Sequence, residues 1–96
     1  MSALPTPNTS AASIWGRIVA PERGSLSPDA ARALLQLDFR PEDRQRVDQL
    51  SARAADGTLT EAERTELEEY LRVNEQLMVL HSKARLSLKL AGLSPR

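Results

Sequence analysis

The sequence predicts an all-α fold, with a short N-terminal helix, two medium helices and one long C-terminal helix, in a helical bundle completed by dimerisation. Proline and glycine residues divide the chain into four segments, and each segment carries apolar residues at helical spacing. Residue patterns typical of helix N-termini precede three of these segments. No run alternates β-branched with polar residues, so no strand is predicted.

The first helix is predicted over residues 11–20. Four apolar residues fall on one face of a helix at this spacing, namely Ile14, Trp15, Ile18 and Val19, and Pro21 ends the segment. A helix this short has little stability alone. We therefore expect it to form because Trp15 and Ile18 dock on another surface.

The second helix is predicted to begin at a strong start signal. Ser27 is a good N-cap, Pro28 suits the first helical position, and Asp29 suits the positive end of the helix dipole. A turn that contains Phe39 is expected after this helix. The predicted buried stripe consists of Ala31, Leu34, Leu35 and Leu37.

The third helix has the same kind of start and a clear stop. It begins at Pro41, with Glu42 and Asp43 in its first turn, and it ends before Gly57. Glycine can adopt the left-handed conformation that follows a helix end. The apolar residues at spacings of three and four are Val47, Leu50 and Ala54.

The fourth helix carries the strongest helical signal in the chain. Thr60 and Glu63 form a T-x-x-E capping box, and no proline or glycine follows until Gly92. A helix over residues 61–91 would have 31 residues and a length of about 46 Å. A compact 96-residue globule is only about 32 Å across. We expect this helix to extend beyond its own domain and to present an apolar face to a partner.

The apolar arc of the fourth helix covers about half of its circumference, which is wider than a two-stranded coiled-coil seam. This width predicts packing on the chain's own helices along one flank and on another chain along the other. Trp15 and Tyr70 are expected to act as aromatic anchors in that interface. The other predicted interface residues are Asn74, Leu77, Met78, Leu80, His81, Ala84 and Leu88.

Two polar residues lie inside this arc. Asn74 and His81 share a seven-residue spacing with Leu67 and Leu88. A buried asparagine at such a position can fix register and partner, whereas one at the stripe's edge simply reaches water. His81 has no acidic residue or cysteine in helical register, so it is expected at an interface or in water and not as a metal ligand.

Charge is balanced over the chain but uneven along the fourth helix. Thirteen basic and thirteen acidic residues give zero net charge, which argues against a general nucleic-acid binder. Residues 61–75 have a balance of −4, and residues 76–96 have a balance of +4. Part of this asymmetry complements the helix dipole. The rest suggests an antiparallel or head-to-tail match with a neighbour, or a basic tip that touches a phosphate backbone.

Motifs typical of catalytic, nucleotide-binding and metal-binding sites are missing from the sequence. No P-loop, G-x-S-x-G or H-E-x-x-H pattern occurs, and the absence of cysteine excludes thiolate sites. Residues 56–63 imitate half of a calcium loop, but Ala52 and Ala54 occupy positions that need oxygen ligands. We expect no catalysis, cofactor, metal or small-molecule substrate.

The ends of the chain and its location give further expectations. Residues 1–10 are predicted to be a flexible arm, residues 11–92 a single helical domain, and residues 93–96 a frayed end. No apolar run is long enough to span a membrane. We therefore expect a cytoplasmic protein with no membrane partner.

Several short motifs together resemble a group of short, uncharacterised helical bacterial proteins. These motifs are LSPDAA (26–31), LLQL (34–37), GTLT (57–60), YLRV (70–73) and SKAR (82–85). The group is associated with genes beside HNH-type nucleases. The resemblance implies an antitoxin-like or accessory partner, since this chain lacks the histidines and asparagines of a nuclease site.

The predicted function is that of a small, non-catalytic protein–protein interaction module, paired with itself or with a larger protein. The first alternative is a DNA-binding transcriptional regulator that uses the second and third helices. Its recognition helix would present Glu42 and Asp43 to phosphates, which Arg44, Arg46 and Arg53 offset only in part. The second alternative is an enzyme that uses the lone histidine.

Overall fold

The computed structural model describes residues 9–94, and within that range it contains four α-helices and no strand. The all-α prediction is confirmed, and the starts of all four helices fall at the predicted residues. The fourth helix has 30 residues, which corresponds to a length of about 45 Å. The helices are α1 (Ala11–Val19), α2 (Pro28–Leu35), α3 (Pro41–Asp56) and α4 (Glu61–Leu90).

Side-chain caps begin three of the helices. Ser27 accepts a hydrogen bond from the backbone N–H of Ala30 at 3.2 Å, as its position before a proline predicts. The capping box of α4 is reciprocal. The N–H of Glu63 donates to Thr60 Oγ1, and the N–H of Thr60 donates to Glu63 Oε1, both at 3.1 Å. Ser10 caps α1 by accepting from a backbone N–H.

Left-handed residues end α3 and α4. Gly57 has a φ angle of 70°, and Gly92 has a φ angle of 74°, so glycine is favoured at both positions. After α4, the N–H of Leu93 donates to the carbonyl of Leu88 at 2.8 Å, which closes a Schellman motif. The fraying expected over residues 93–96 stays a prediction.

The chain divides into two compact units, and α4 contributes to both. One unit contains α1, α2 and α4 from residue 78 onward, and the other spans residues 37–77. The single domain predicted over residues 11–92 stays a prediction. The predicted arm lies outside the described residues up to residue 8, and Ser10 belongs to the cap of α1. Residues 95–96 also lie outside the described residues.

The core of the first unit is built from small and aliphatic residues. Ala31 of α2 and Ala84 and Leu88 of α4 are completely buried. Alanines at a helix–helix contact allow the two backbones to approach closely. The half-buried residues packed against this cluster are Leu26, Leu34 and Leu35. Leu37 is 49% exposed, contrary to prediction, because α2 ends before it.

The second unit has a smaller core. Leu50 of α3 is completely buried, and Val47 on the same face is half-buried. Ala54, one turn beyond Leu50, is exposed although it shares the apolar spacing of Val47 and Leu50. The buried stripe of α3 therefore stops at Leu50.

Candidate interaction surfaces

The N-terminal helix presents apolar side chains to solvent. Ile14 is 43% exposed, Trp15 is 40% exposed and Ile18 is 68% exposed, whereas Val19 is buried. Within the residues that the structure describes, Ile18 does not meet the expectation that it docks on another surface, whereas Trp15 is partly covered. Val19, which belongs to the same predicted face, is the buried residue of α1, and the caps at both ends add to the helix's stability.

A lysine from α4 completes the C-terminal cap of α1. Ala20 has a left-handed φ angle of 48°, and its N–H donates to the carbonyl of Gly16 at 2.8 Å. Lys83 Nζ then donates to the carbonyl of Val19 at 2.5 Å. A positive charge at this end of a helix also stabilises the helix dipole. Lys83 therefore has a structural role. In the part of α4 from residue 78 onward, the exposed cations are Arg85 and Lys89.

The predicted interface residues divide into several groups. Ala84 and Leu88 are completely buried within the chain. The prediction that a partner chain desolvates them is wrong, because Ala31 and the leucines around it already cover them. Met78 is exposed. The half-buried members of the predicted set are Tyr70, Asn74, Leu77, Leu80 and His81.

An aromatic pair joins α4 to the start of α3 in the second unit. The rings of Phe39 and Tyr70 meet edge to face, with centroids 5.9 Å apart and planes inclined by 66°. Tyr70 Oη donates a hydrogen bond to Asp43 Oδ1 at 2.7 Å. This hydrogen bond to the carboxylate raises the pKa of Tyr70 above its ordinary value, and partial burial acts in the same direction.

A groove lined by aromatic and acidic side chains lies beside this aromatic pair, and we call it the aromatic–acidic groove. Its volume is about 470 Å³. The apolar part of the lining comes from Phe39, Tyr70 and Val73, and three carboxylates supply negative charge. The lining residues are Phe39, Asp43, Glu66, Glu69, Tyr70 and Val73. Such a combination suits a partner that carries both an apolar surface and a positive charge.

Ion pairs between α3 and α4 form a network in the second unit. Arg46 donates two hydrogen bonds to the carboxylate of Glu66, each 2.7 Å long. Glu63 pairs with Arg53 and also lies 3.9 Å from Arg46. The hydrogen bond from Arg46 lowers the pKa of Glu66, and the same contact raises the pKa of Arg46. The bidentate geometry gives α3 and α4 a defined register.

Sequence reasoning missed this network and the Asp43–Tyr70 contact. The available signal was the set of arginines on α3 and glutamates on α4, two consecutive helices joined by a short turn. With both helix starts fixed by their caps, these charges could have been matched across the pair. That comparison would have indicated an intramolecular role for Arg46 and Arg53.

Neither metal ligation nor membrane insertion has support among the described residues. Within residues 9–94, no three histidine, cysteine or acidic side chains come together to hold a metal ion. In the same range, no helix is both long enough and apolar enough to cross a membrane. Comparison with protein-family models, with curated proteins and with solved structures found no match for this chain.

Proposed function

We propose that this chain is a non-catalytic helical interaction module that binds another protein through one face of α1. The observation that carries this proposal is the exposure of Ile14, Trp15 and Ile18 on a short, capped helix. A scattered apolar residue on a surface is ordinary, but a contiguous set that includes tryptophan is typical of a contact site.

The spacing on α1 supports binding in the groove of a partner protein. Ile14 and Ile18 are four residues apart, and Trp15 lies beside them on the helix. Amphipathic helices that insert into grooves use anchors at this spacing. Tryptophan is also enriched among the residues that dominate binding energy. The helix is capped at both ends before any partner arrives, which reduces the entropy cost of binding.

A regulator of a larger enzyme is the specific form of this proposal. The resemblance to proteins associated with nuclease genes supports an antitoxin-like or accessory role. No observation favours the alternative of a DNA-binding regulator, since the cations it needs are engaged with acids. Arg44 pairs with Asp38 at 2.6 Å, and Arg46 and Arg53 pair with glutamates of α4.

The experiment is affinity capture from the source cells with the wild-type chain and two acidic variants. Ile18→Glu places a charge in the centre of the α1 face. Ala33→Glu is the matched control, because it adds the same charge at an exposed position of α2. We expect a defined partner to be retained by the wild type and by Ala33→Glu and to be lost with Ile18→Glu. A captured nuclease would support the antitoxin-like form.

Fluorescence of the single tryptophan gives a second readout with the purified partner. Trp15 is the only tryptophan in the chain and is partly exposed. Burial against the partner should shift its emission to shorter wavelength. Capture that does not depend on Ile18, or binding that leaves the emission unchanged, would contradict the α1 site.

A further inference from the structure

We propose that the aromatic–acidic groove binds an arginine side chain from an exposed segment of a partner protein, with an apolar residue next to that arginine. Every described residue that lines the groove lies within residues 37–77, so one compact unit builds the whole site. The inference goes beyond the α1 proposal, because it assigns a second surface with a different binding chemistry. The two proposals can therefore fail separately.

One face of α4 and the segment at the start of α3 supply the lining of the groove. Glu66, Glu69 and Val73 follow one another at spacings of three and four residues, so their side chains emerge on the same face of α4. Phe39 precedes α3, and Asp43 lies in the first turn of that helix. The volume of about 470 Å³ is within the range of about 300–1,000 Å³ that is usual for ligand sites in proteins.

Glu69 is the carboxylate that an incoming cation reaches most readily. Both oxygens of Glu66 already accept hydrogen bonds from Arg46. Glu69 contacts Arg72 at 2.5 Å, and both of these side chains are about two-thirds exposed. An exposed pair of this kind contributes little to stability, so Glu69 can exchange Arg72 for a new cation at small cost. Asp43 accepts the tyrosine hydroxyl through Oδ1, and its second carboxylate oxygen is a further acceptor.

The aromatic pair already attracts one guanidinium group. The central carbon of the Arg44 guanidinium lies 6.0 Å from the centroid of the Phe39 ring. Arg44 lines an adjoining cavity of about 220 Å³, which shares Phe39 and Tyr70 with the groove, but Arg44 does not line the groove itself. The aromatic surface within the groove is therefore open to a second guanidinium, which it would attract by the same cation–π interaction.

Arginine fits this combination of groups better than lysine does. Its planar guanidinium can stack on an aromatic ring and can donate two hydrogen bonds to one carboxylate. The same unit uses this geometry internally, since Arg46 donates two hydrogen bonds of 2.7 Å to Glu66. Val73 is 55% exposed and offers apolar surface to the stem of the arginine or to its apolar neighbour.

The exposure and charge of the groove favour a basic segment of a protein as the occupant. Glu69 and Val73 are both more than half exposed, so the groove does not enclose most of the surface of a small free ligand. A side chain that belongs to a partner protein gains further binding energy from contacts around the groove. The described lining contains three carboxylates and no basic residue, so charge complementarity selects a cationic segment.

NMR spectroscopy of the isotope-labelled full chain tests the site with a defined peptide. The probe is the capped tripeptide acetyl-Leu-Arg-Leu-amide, and its matched control contains citrulline, which has nearly the shape of arginine but no charge. We expect saturable binding in the millimolar range, with the largest shifts at the backbone amides of Phe39, Glu69 and Val73. The citrulline peptide should bind at least about fivefold more weakly, because it lacks the ion pair and the cation–π contact.

Two charge reversals at neighbouring positions of α4 separate direct contact from general electrostatics. Glu69→Lys should weaken binding of the arginine peptide by at least about tenfold. Glu68→Lys makes the same change in net charge at an exposed position that does not line the groove. In about 0.15 M salt, which screens charges beyond about 8 Å, it should change the affinity by less than about twofold. Circular dichroism verifies that both variants remain helical.

Several results would overturn the proposal. Recognition of arginine in this groove is excluded by an absence of shifts at the solubility limit of the peptide, by equal binding of the citrulline peptide, or by equal effects of the two reversals. Methylguanidinium that binds as tightly as the tripeptide would assign the groove to a free cation. Self-association that Glu69→Lys abolishes would assign it to a second copy of this chain. The Ile18→Glu variant should bind the peptide like the wild type, so failure of the α1 proposal remains distinguishable.

Discussion

The hydroxyl of Ser87 joins α4 to the backbone of Leu26, 61 residues earlier in the chain. Ser87 Oγ accepts a hydrogen bond from the N–H of Leu26 at 3.2 Å and donates one to the carbonyl of Lys83 at 2.8 Å. Ser87 is only 2% exposed, and the side chain of Leu26 packs on the core of the same unit. One small polar group thus holds the segment before α2 against α4.

Replacement of Ser87 by alanine should destabilise the fold. Ser87→Ala removes the acceptor and leaves the Leu26 amide without its partner, at a cost of about 1–3 kcal/mol. Urea unfolding monitored by circular dichroism measures this change. Ser82→Ala is the control, because Ser82 is exposed on the same helix, and its effect should stay within about 0.5 kcal/mol. Equal stability of the two variants would show that the Ser87 contact contributes nothing.

The helix boundaries were predictable because their determinants are local. The cap formed by Ser27 and the box formed by Thr60 and Glu63 each depend on residues three apart. Such contacts form within a single helical turn and need no tertiary information. The same holds for Gly57, whose left-handed conformation ends α3.

The surfaces were harder to predict because they depend on which helix covers which face. Ala84 and Leu88 belong to the same apolar arc as Met78, and spacing alone cannot say which part α2 covers. The sequence places Lys83 among the cations of the basic C-terminal end of the chain, whereas in the structure its side chain caps α1. Both outcomes depend on contacts between residues more than 50 positions apart.

Overpacking at Gly24 gives a second stability prediction. A Cβ atom at this position would lie 2.7 Å from Leu90 Cδ1 and 3.1 Å from the backbone carbonyl carbon of Leu86. The leucine side chain can move, but the helix backbone cannot move easily. Gly24→Ala should therefore cost about 1–3 kcal/mol, measured as a lower midpoint in thermal unfolding.

Gly16 offers a matched glycine with the opposite expectation. A Cβ atom there meets nothing within 4 Å, and the residue lies inside α1. Gly16→Ala should stabilise the chain by about 0.5–1 kcal/mol, because alanine loses less backbone entropy in a helix. If both alanine variants shift the thermal midpoint in the same direction, the close approach of neighbouring atoms at Gly24 does not determine the effect of a side chain at that position.

The Arg46–Glu66 pair predicts a loss of stability in acid. Its contact with Arg46 holds the folded-state pKa of Glu66 below the ordinary value of 4.5. The ionised form is therefore favoured by folding, so this stabilisation is fully present above about pH 4.5 and disappears as the pH falls through the lowered pKa. Glu66→Gln should be less stable than the wild type at neutral pH.

Urea unfolding of the wild type and Glu66→Gln at several pH values checks the direction of this pH dependence. The difference in unfolding free energy should shrink as the pH falls below about 4.5, and it should close below the lowered pKa of Glu66, where both chains carry a neutral group at position 66. Glu68→Gln, at an exposed position of α4, controls for the loss of one negative charge. A wild-type advantage that persists undiminished in strong acid would contradict an ionic contribution from Glu66.

Tyr70 predicts a complementary loss of stability in alkali. Its hydrogen bond to Asp43 and its partial burial raise its pKa above the ordinary value of 10.0. The protonated phenol is favoured by folding, so its contribution is complete below about pH 10 and is lost as the pH rises through the raised pKa. Tyr70→Phe should be less stable than the wild type at neutral pH, and the difference should close in alkali.

The chain has one tyrosine, so phenolate absorbance reports this titration directly. A midpoint at or below that of a free tyrosine would mean that the Asp43 contact does not form in solution.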